Sequence, residues 1–266
     1  MKNRAMFKNK RKPYYEINNK KTVTEIYLYD EIGWYGVEAE TFVKDLKAIK
    51  NDVILRINSP GGSVFDGMAI YNAVKDFKHG ITTIIDGLAA SAASYIAMAG
   101  DTVKMAEGAF LMIHDPMSLV IGSAEDMRKE AELLDKVRDQ IAGIYQRKSG
   151  KSKKAIVELM KDETWFTGKE ALENNFIDET IEETQADNLF DLSVFNNTPE
   201  KLVKESGGET PRPKDFEKAL RDAGLTRQEA KAVLSEGLKA LKEDKPLEED
   251  ELAVVLKFKH KLGRKE

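Results

Sequence analysis

An α/β fold built on a parallel sheet is predicted by three features of the sequence. Two apolar runs, Val53-Ile54-Leu55-Arg56-Ile57 and Ile81-Thr82-Thr83-Ile84-Ile85, show little of the polar alternation of a half-exposed strand, as expected of strands covered on both faces. Between them, residues 66–77 place Met68, Ala69, Tyr71, Val74 and Phe77 at helical spacing. Strand, helix and strand in that order make a right-handed βαβ unit.

The other elements follow along the chain. Val23-Thr24-Glu25-Ile26-Tyr27-Leu28-Tyr29-Asp30 alternates as a strand, and residues 38–50 put Phe42, Val43, Leu46 and Ile49 on one helical face. The apolar run at 52–57 leads into Asn58-Ser59-Pro60-Gly61-Gly62-Ser63-Val64, with Ser63 read as the cap of the next helix. After the strand at 81–86 come residues 87–99, a run of tiny side chains around Ser91. This stretch reads as a glycine turn followed by a closely packed helix with Ser91 at its start, where unpaired N–H groups and the helix dipole are available. Ser94, one turn on, is expected to face the packing. Short strands are expected at 102–105 and 108–114, the second ending on His114. Ser123 opens a long charged helix, 123–148, with Asp126 in its first turn, and Gly150 stops it. A helix at 152–161 precedes Asp162-Glu163-Thr164-Trp165-Phe166-Thr167-Gly168, and a short helix follows at 169–175.

Outside this block the composition changes. Residues 1–21 are rich in Lys and Arg and read as a flexible basic arm, which leaves 22–185 as the main domain. Residues 186–212, with Asn196-Asn197, Pro199, Gly207-Gly208 and Pro211, read as a linker. Residues 213–266 form a small helical appendage. Its first helix stops at Gly224, its second opens at the capping box Thr226-Arg227-Gln228-Glu229, and its third spans 247–262. Such an appendage is too small for a large core, so either a partner or a second copy covers its apolar faces or it forms a marginal helical unit of its own.

Composition removes several classes of function. The net charge of −4 argues against general nucleic-acid binding. The absence of cysteine excludes thiol catalysis and thiolate metal sites, and with only three histidines a histidine metal cluster is not expected. No apolar run is long enough to span a bilayer and the basic start lacks the apolar region of a signal peptide. A soluble, cytoplasmic protein with no cofactor is expected.

Acyl transfer needs a nucleophile, a base, a group that orients the base, and N–H donors for the oxyanion. Ser91 and His114 supply the first two. Asp162 and Glu163, followed by aromatic residues, offer the orienting carboxylate. Gly61-Gly62 after a buried strand and the N–H of Ala92 offer the donors, glycine allowing close approach of a substrate backbone.

Asn58-Ser59-Pro60-Gly61-Gly62, Gly87-Leu88-Ala89-Ala90-Ser91 and Met112-Ile113-His114-Asp115-Pro116 resemble the three signature stretches of the Clp protease proteolytic subunit (ClpP) family. Glu163-Thr164-Trp165-Phe166-Thr167-Gly168-Lys169-Glu170-Ala171 and Asn175-Phe176-Ile177-Asp178 resemble the segment carrying the third triad member. The resemblance covers about residues 22–185. It implies the ClpP/crotonase fold of stacked βαβ units with a long handle helix, here 123–148. It also implies Ser91 as nucleophile, His114 as general base, and the N–H groups of Gly62 and Ala92 as oxyanion hole. An ungapped match places Glu163 where the family has aspartate, and a one-residue shift would place Asp162 there. Ala92-Ala93 replaces the family's usual Met-Gly, a mild change because backbone N–H groups do the chemistry.

The basic arm, linker and helical tail resemble the ClpP-like head maturation proteases of tailed phages and prophages. That likeness implies a serine endopeptidase acting on capsid or scaffold protein in an assembling prohead, and the family likeness implies a homo-oligomeric ring. No Gly-x-x-x-x-Gly-Lys-[Ser/Thr] loop is present, so ATP-driven unfolding would need a separate ATPase partner. Two other readings are an assembly scaffold whose working part is the tail, and a crotonase-type acyl-CoA enzyme without a serine nucleophile.

Overall fold

The computed structural model describes residues 15–19, 22–33, 36–182, 190–200 and 202. The chain divides into two units, Met1–Gly207 and Gly208–Glu266, and everything described lies in the first. Its first half runs β1 (Tyr15–Asn19), β2 (Val23–Leu28), α1 (Ala39–Ala48), β3 (Asp52–Ser59), α2 (Val64–Lys75), β4 (Ile81–Ala90) and α3 (Ala92–Ala97). The second half runs β5 (Thr102–Ala106), β6 (Phe110–Ile113), α4 (Ala124–Ser149), α5 (Lys153–Lys161), β7 (Thr164–Thr167), α6 (Gly168–Glu173) and β8 (Glu179–Ile181).

The expected α/β architecture is present. The sheet order is β1-β2-β3-β4-β5-β8, with β6 attached to β4 and β7 attached to β6. The β2–β3, β3–β4 and β4–β5 pairs are parallel, Val53 lying opposite Ile81. Buried strand residues such as Ile26, Leu28, Leu55, Ile57 and Ile85 meet Phe42 and Leu46 of α1 and Ile70 and Val74 of α2 in one core. Ser63 caps α2, its hydroxyl accepting from the Asp66 N–H. Among the described residues no helix is long and apolar enough to cross a membrane.

β4 departs from the sequence reading in a way that matters for the site. The expected glycine turn at Gly87 is strand, and α3 is only 92–97. Over Thr82–Ile85 the strand pairs with β5, but over Leu88–Ala90 it pairs with β6, also in parallel. The change of partner falls at Asp86-Gly87. Leu88, Ala89 and Ala90 are completely buried, so small side chains here let two strand layers share one backbone rather than start a helix. Asp86, almost fully buried, anchors this point. It accepts hydrogen bonds from the Arg56 guanidinium on β3 and from the Tyr29 hydroxyl (2.5 Å) just after β2.

The handle helix α4 forms as expected, with a Ser123–Asp126 capping box and a left-handed Gly150 at φ 72°. Only its C-terminal part is buried, at Ile141, Ala142, Ile144, Tyr145 and Ser149. Met117, Leu119 and Ile121 before it and Met127 and Leu133 within it are exposed.

Two expected segment boundaries differ. The basic arm is expected to reach residue 21, but residues 15–19 are strand β1, antiparallel to β2. The linker is expected over 186–212, but Phe190, Leu192, Phe195 and Leu202 are buried together with Leu88, Ala90 and Met112. That segment carries apolar side chains at irregular spacing, which hides a packed turn from any periodic pattern. Residues 1–14 of the arm, residues 203–212 of the linker and the tail 213–266 lie outside the described residues.

Breaking the buried pair at the branch point of β4 leaves the Arg56 charge without its partner. Asp86→Ala is expected to destabilise the fold by about 3 kcal/mol, read as a lowered midpoint of urea unfolding.

Candidate active site

Ser91 follows the last residue of β4, and His114 follows the last residue of β6. Because these two strands are parallel neighbours with Ala90 opposite Met112, their C-terminal ends lie side by side, the edge where open α/β sheets gather ligands. The result is direct: Ser91 Oγ and His114 Nε2 are 2.8 Å apart, a hydrogen bond.

Ser91 adopts φ 52°, ψ −123°, a backbone conformation disfavoured for a residue with a side chain and costing about 1–3 kcal/mol. Three hydrogen bonds hold it there. Its N–H donates to Met112 O (3.1 Å), and its carbonyl accepts from the Ser94 N–H (3.0 Å) and the Ser94 hydroxyl (2.5 Å). Ser94 is buried and also touches the Tyr145 hydroxyl at 2.6 Å, so it faces the packing and ties α3 to α4.

Gly61 and Gly62 lie against this turn with φ +92° and +140°. A Cβ on Gly61 would come within 2.6 Å of Ala90 O and 2.7 Å of Ala92 N, and one on Gly62 within 2.1 Å of Ile32 O. The Gly61 N–H donates to Ser59 Oγ (3.1 Å). Among the described residues, the N–H groups of Gly62 and Ala92 have no acceptor. The second sits at the first helical position of α3, where an N–H is unpaired by construction.

The two candidate carboxylates have different fates. β7 runs antiparallel to β6 with Ile113 opposite Thr164, so one further step of the same register sets Glu163 beside His114. Glu163 is 7% exposed and has φ 46°. Asp162 caps the end of α5 and is exposed. Among the described residues no hydrogen bond joins Glu163 to His114. The carboxylate instead accepts at Oε2 from the Asn196 N–H (2.9 Å) and at Oε1 from the Asn197 N–H (2.6 Å), with Trp165 Nε1 and Asn196 Nδ2 each at 3.4 Å.

Burial holds the His114 imidazole below its ordinary value, and the neighbouring Glu163 carboxylate works in the opposite direction. The ring therefore stays neutral at neutral pH, able to take a proton from the serine hydroxyl. Phe195 lies edge-on to it, ring centroids 5.5 Å apart. Asn196, Asn197 and Phe195 are not among the residues the sequence leads one to expect at the site. Their only mark in the sequence is Phe190-Asp191-Leu192-Ser193-Val194-Phe195, an apolar stretch inside a polar one.

These groups open onto a cleft of about 440 Å3 lined by Pro60, Gly61, Gly62, Ser91, His114 and, on the far wall, Phe190, Val194 and Phe195. A hydroxyl bonded to a neutral imidazole, beside two unpaired N–H groups in a groove, is equipped for nucleophilic attack on a carbonyl carbon.

The sequence pattern of the Clp protease family matches residues 15–184. The chain is 31% identical to ATP-dependent Clp protease proteolytic subunit 2 of Tropheryma whipplei over 171 residues, covering 60% of this chain and 95% of that protein. It is 36% identical to the ATP-dependent Clp protease proteolytic subunit of Streptococcus mutans over 154 residues, 56% of this chain and 79% of that one. Among solved structures it is similar to a mutant of ClpP1 from Listeria monocytogenes, with TM-score 0.54 and 26% identity over 60% of this chain and 91% of that chain. The family pattern stops at residue 184, short of Phe190, Leu192, Phe195 and Leu202, which pack beside the site. With a family pattern spanning most of its length and a fold to match, the chain belongs to the Clp protease family.

Proposed function

We propose that this chain is a serine endopeptidase in which Ser91 is the nucleophile, His114 the general base and Glu163 the carboxylate that orients and stabilises the imidazole. The observation that carries this reading is the 2.8 Å hydrogen bond between Ser91 Oγ and His114 Nε2 at the mouth of the cleft. In the reaction, Oγ forms a bond to the scissile carbonyl carbon as its proton passes to Nε2. The carbonyl oxygen takes up the negative charge and accepts from the Gly62 and Ala92 N–H groups. Collapse breaks the C–N bond, and the leaving amine takes the proton from Nε2. Water, deprotonated by the same imidazole, then releases the acyl group from Ser91. The buried Glu163 carboxylate stabilises the imidazolium formed in each half. A crotonase-type reading would need neither Ser91 nor its bond to His114.

The setting we propose is maturation of a phage prohead, with capsid or scaffold protein as substrate. Support comes from the sequence: the Lys- and Arg-rich start and the periodic apolar pattern past residue 213 resemble those of phage-encoded ClpP-like proteases. The working form in this reading is a homo-oligomeric ring, which the family likeness implies. The exposed apolar residues around the start of α4, Leu119, Ile121 and Met127, suit contact with a second copy. Unfolding of a folded substrate would come from a separate ATPase partner.

Ser91→Ala is expected to abolish both fluorophosphonate labelling and cleavage of an unstructured peptide. Labelling that survives the substitution, or acyl-CoA turnover that survives it, would overturn the assignment. Glu163→Gln should lower kcat by about a hundredfold or more while Asp162→Asn stays close to the unsubstituted chain, and the reverse ranking would move the third role to Asp162. The base works only when neutral, and burial lowers its pKa. The acid limb of the kcat/KM profile should therefore fall below the ordinary histidine value of about 6.5, and a limb above that value would exclude a desolvated imidazole.

A further inference from the structure

The matched family pattern ends at residue 184, yet the site does not. Residues 190–200 and 202 are folded onto it as a compact turn. The Phe195 N–H donates to Leu192 O (3.1 Å), the Thr198 hydroxyl to the same carbonyl (3.0 Å), and the Leu202 N–H to Pro199 O (2.9 Å). Phe190, Leu192, Phe195 and Leu202 bury themselves on Leu88, Ala90 and Met112, in the last residues of the strands that lead to Ser91 and His114. Phe195 meets both the His114 ring and the Trp165 ring, at 5.5 and 5.8 Å. The Asn197 side chain donates to Asp162 O (2.8 Å), fixing the turn to the end of α5. From that position the two successive amides of Asn196 and Asn197 reach one oxygen each of the Glu163 carboxylate.

Such contacts have a specific physical consequence. A glutamate has one more rotatable bond than an aspartate, so a buried glutamate needs more support to hold its carboxylate at one place. A pair of charge-assisted hydrogen bonds from rigid backbone amides supplies that support. We propose that residues 190–202 are a strap that completes the active site: the Asn196 and Asn197 amides position the Glu163 carboxylate, and Phe195 positions and shields the His114 ring. The working catalytic unit therefore takes in residues 190–200 and 202, beyond the end of the family pattern at 184. This rests on the peptidase reading above, in which Glu163 and His114 are the orienting carboxylate and the base.

The test uses the full chain and a small unstructured peptide substrate. Asn196→Pro and Asn197→Pro each delete one amide donor, whereas Asn196→Ala and Asn197→Ala keep it. The proline variants are expected to lose about tenfold or more in kcat with KM changed by less than about threefold, and each alanine variant, which loses only a side-chain bond to Glu163 or to Asp162 O, to fall clearly less than its proline counterpart. Phe195→Ala hydrates the imidazole. Since burial is the main cause lowering its pKa, with Glu163 opposing and Asp30, Glu31 and Asp191 facing the same cleft, the acid limb of kcat/KM should move up toward the ordinary histidine value. Phe195→Leu, which keeps an apolar cover, should bring it back. Proline and alanine variants of equal activity, a rise in kcat in the proline variants, or an unmoved acid limb would each overturn the strap. If a melting curve shows the proline variants unfolded, the Phe195 pair decides alone. Ser91-dependent fluorophosphonate labelling of the unsubstituted chain separates the two failures. Its absence sinks the peptidase reading, and its presence with unresponsive strap variants sinks only the strap.

Discussion

The geometry of Ser91 depends on a single arrangement, two parallel strands ending next to each other. β4 gives up β5 as its partner at Asp86-Gly87 and takes β6 for its last three residues. The last link of that pairing, Ser91 N–H to Met112 O at 3.1 Å, turns the serine backbone into a conformation it would otherwise avoid. Everything else at the site is placed relative to that bond. Gly61 must lack a side chain because the turn is packed against it, Gly62 because the Ile32 backbone is, and His114 reaches Ser91 because it leaves β6 in step with it. The small residues of β4 and α3 are thus a steric requirement of two layers meeting on one strand, and the strained turn at Ser91 is a consequence of that crowding.

The electrostatics of the site is a second constraint. A buried carboxylate is costly unless it is paired or fully hydrogen-bonded. Glu163 meets the requirement through backbone amides that the chain brings back from 33 and 34 residues downstream. This keeps a negative charge close to a desolvated imidazole, which lowers the cost of protonating His114 without overcoming the effect of burial. The same segment forms one apolar wall of the cleft. Charge placement and cleft shape are therefore coupled through a stretch of chain beyond the family's shared domain.

Much of the site is legible in the sequence. Ser91, His114 and Gly62 each follow a buried apolar strand, and that local pattern marks the C-terminal edge of a parallel sheet. The preference for Glu163 over Asp162 rests on the ungapped family match alone, because locally both flank the end of one helix. It is the antiparallel register of β6 and β7, Ile113 opposite Thr164, that buries one and leaves the other in water. The continuation of β4 through Gly87 is hidden as well, since glycine and alanine are poor strand formers by propensity and are strand here only because two neighbours pair with them. Phe190, Phe195, Asn196 and Asn197 fall in a stretch that reads as linker, because an irregular turn has no period to detect.

By itself, then, the sequence determined the α/β class, the order of the βαβ units, and the serine, histidine and glycine turn that any such sheet would carry to one edge. Those features are encoded locally, in runs of apolar residues and in the glycines that end them. Only the tertiary structure decided which carboxylate is buried, where β4 changes partner, and that residues 190–200 return to the site. Each of those rests on pairing between segments distant along the chain, where register and burial, rather than local propensity, set the outcome.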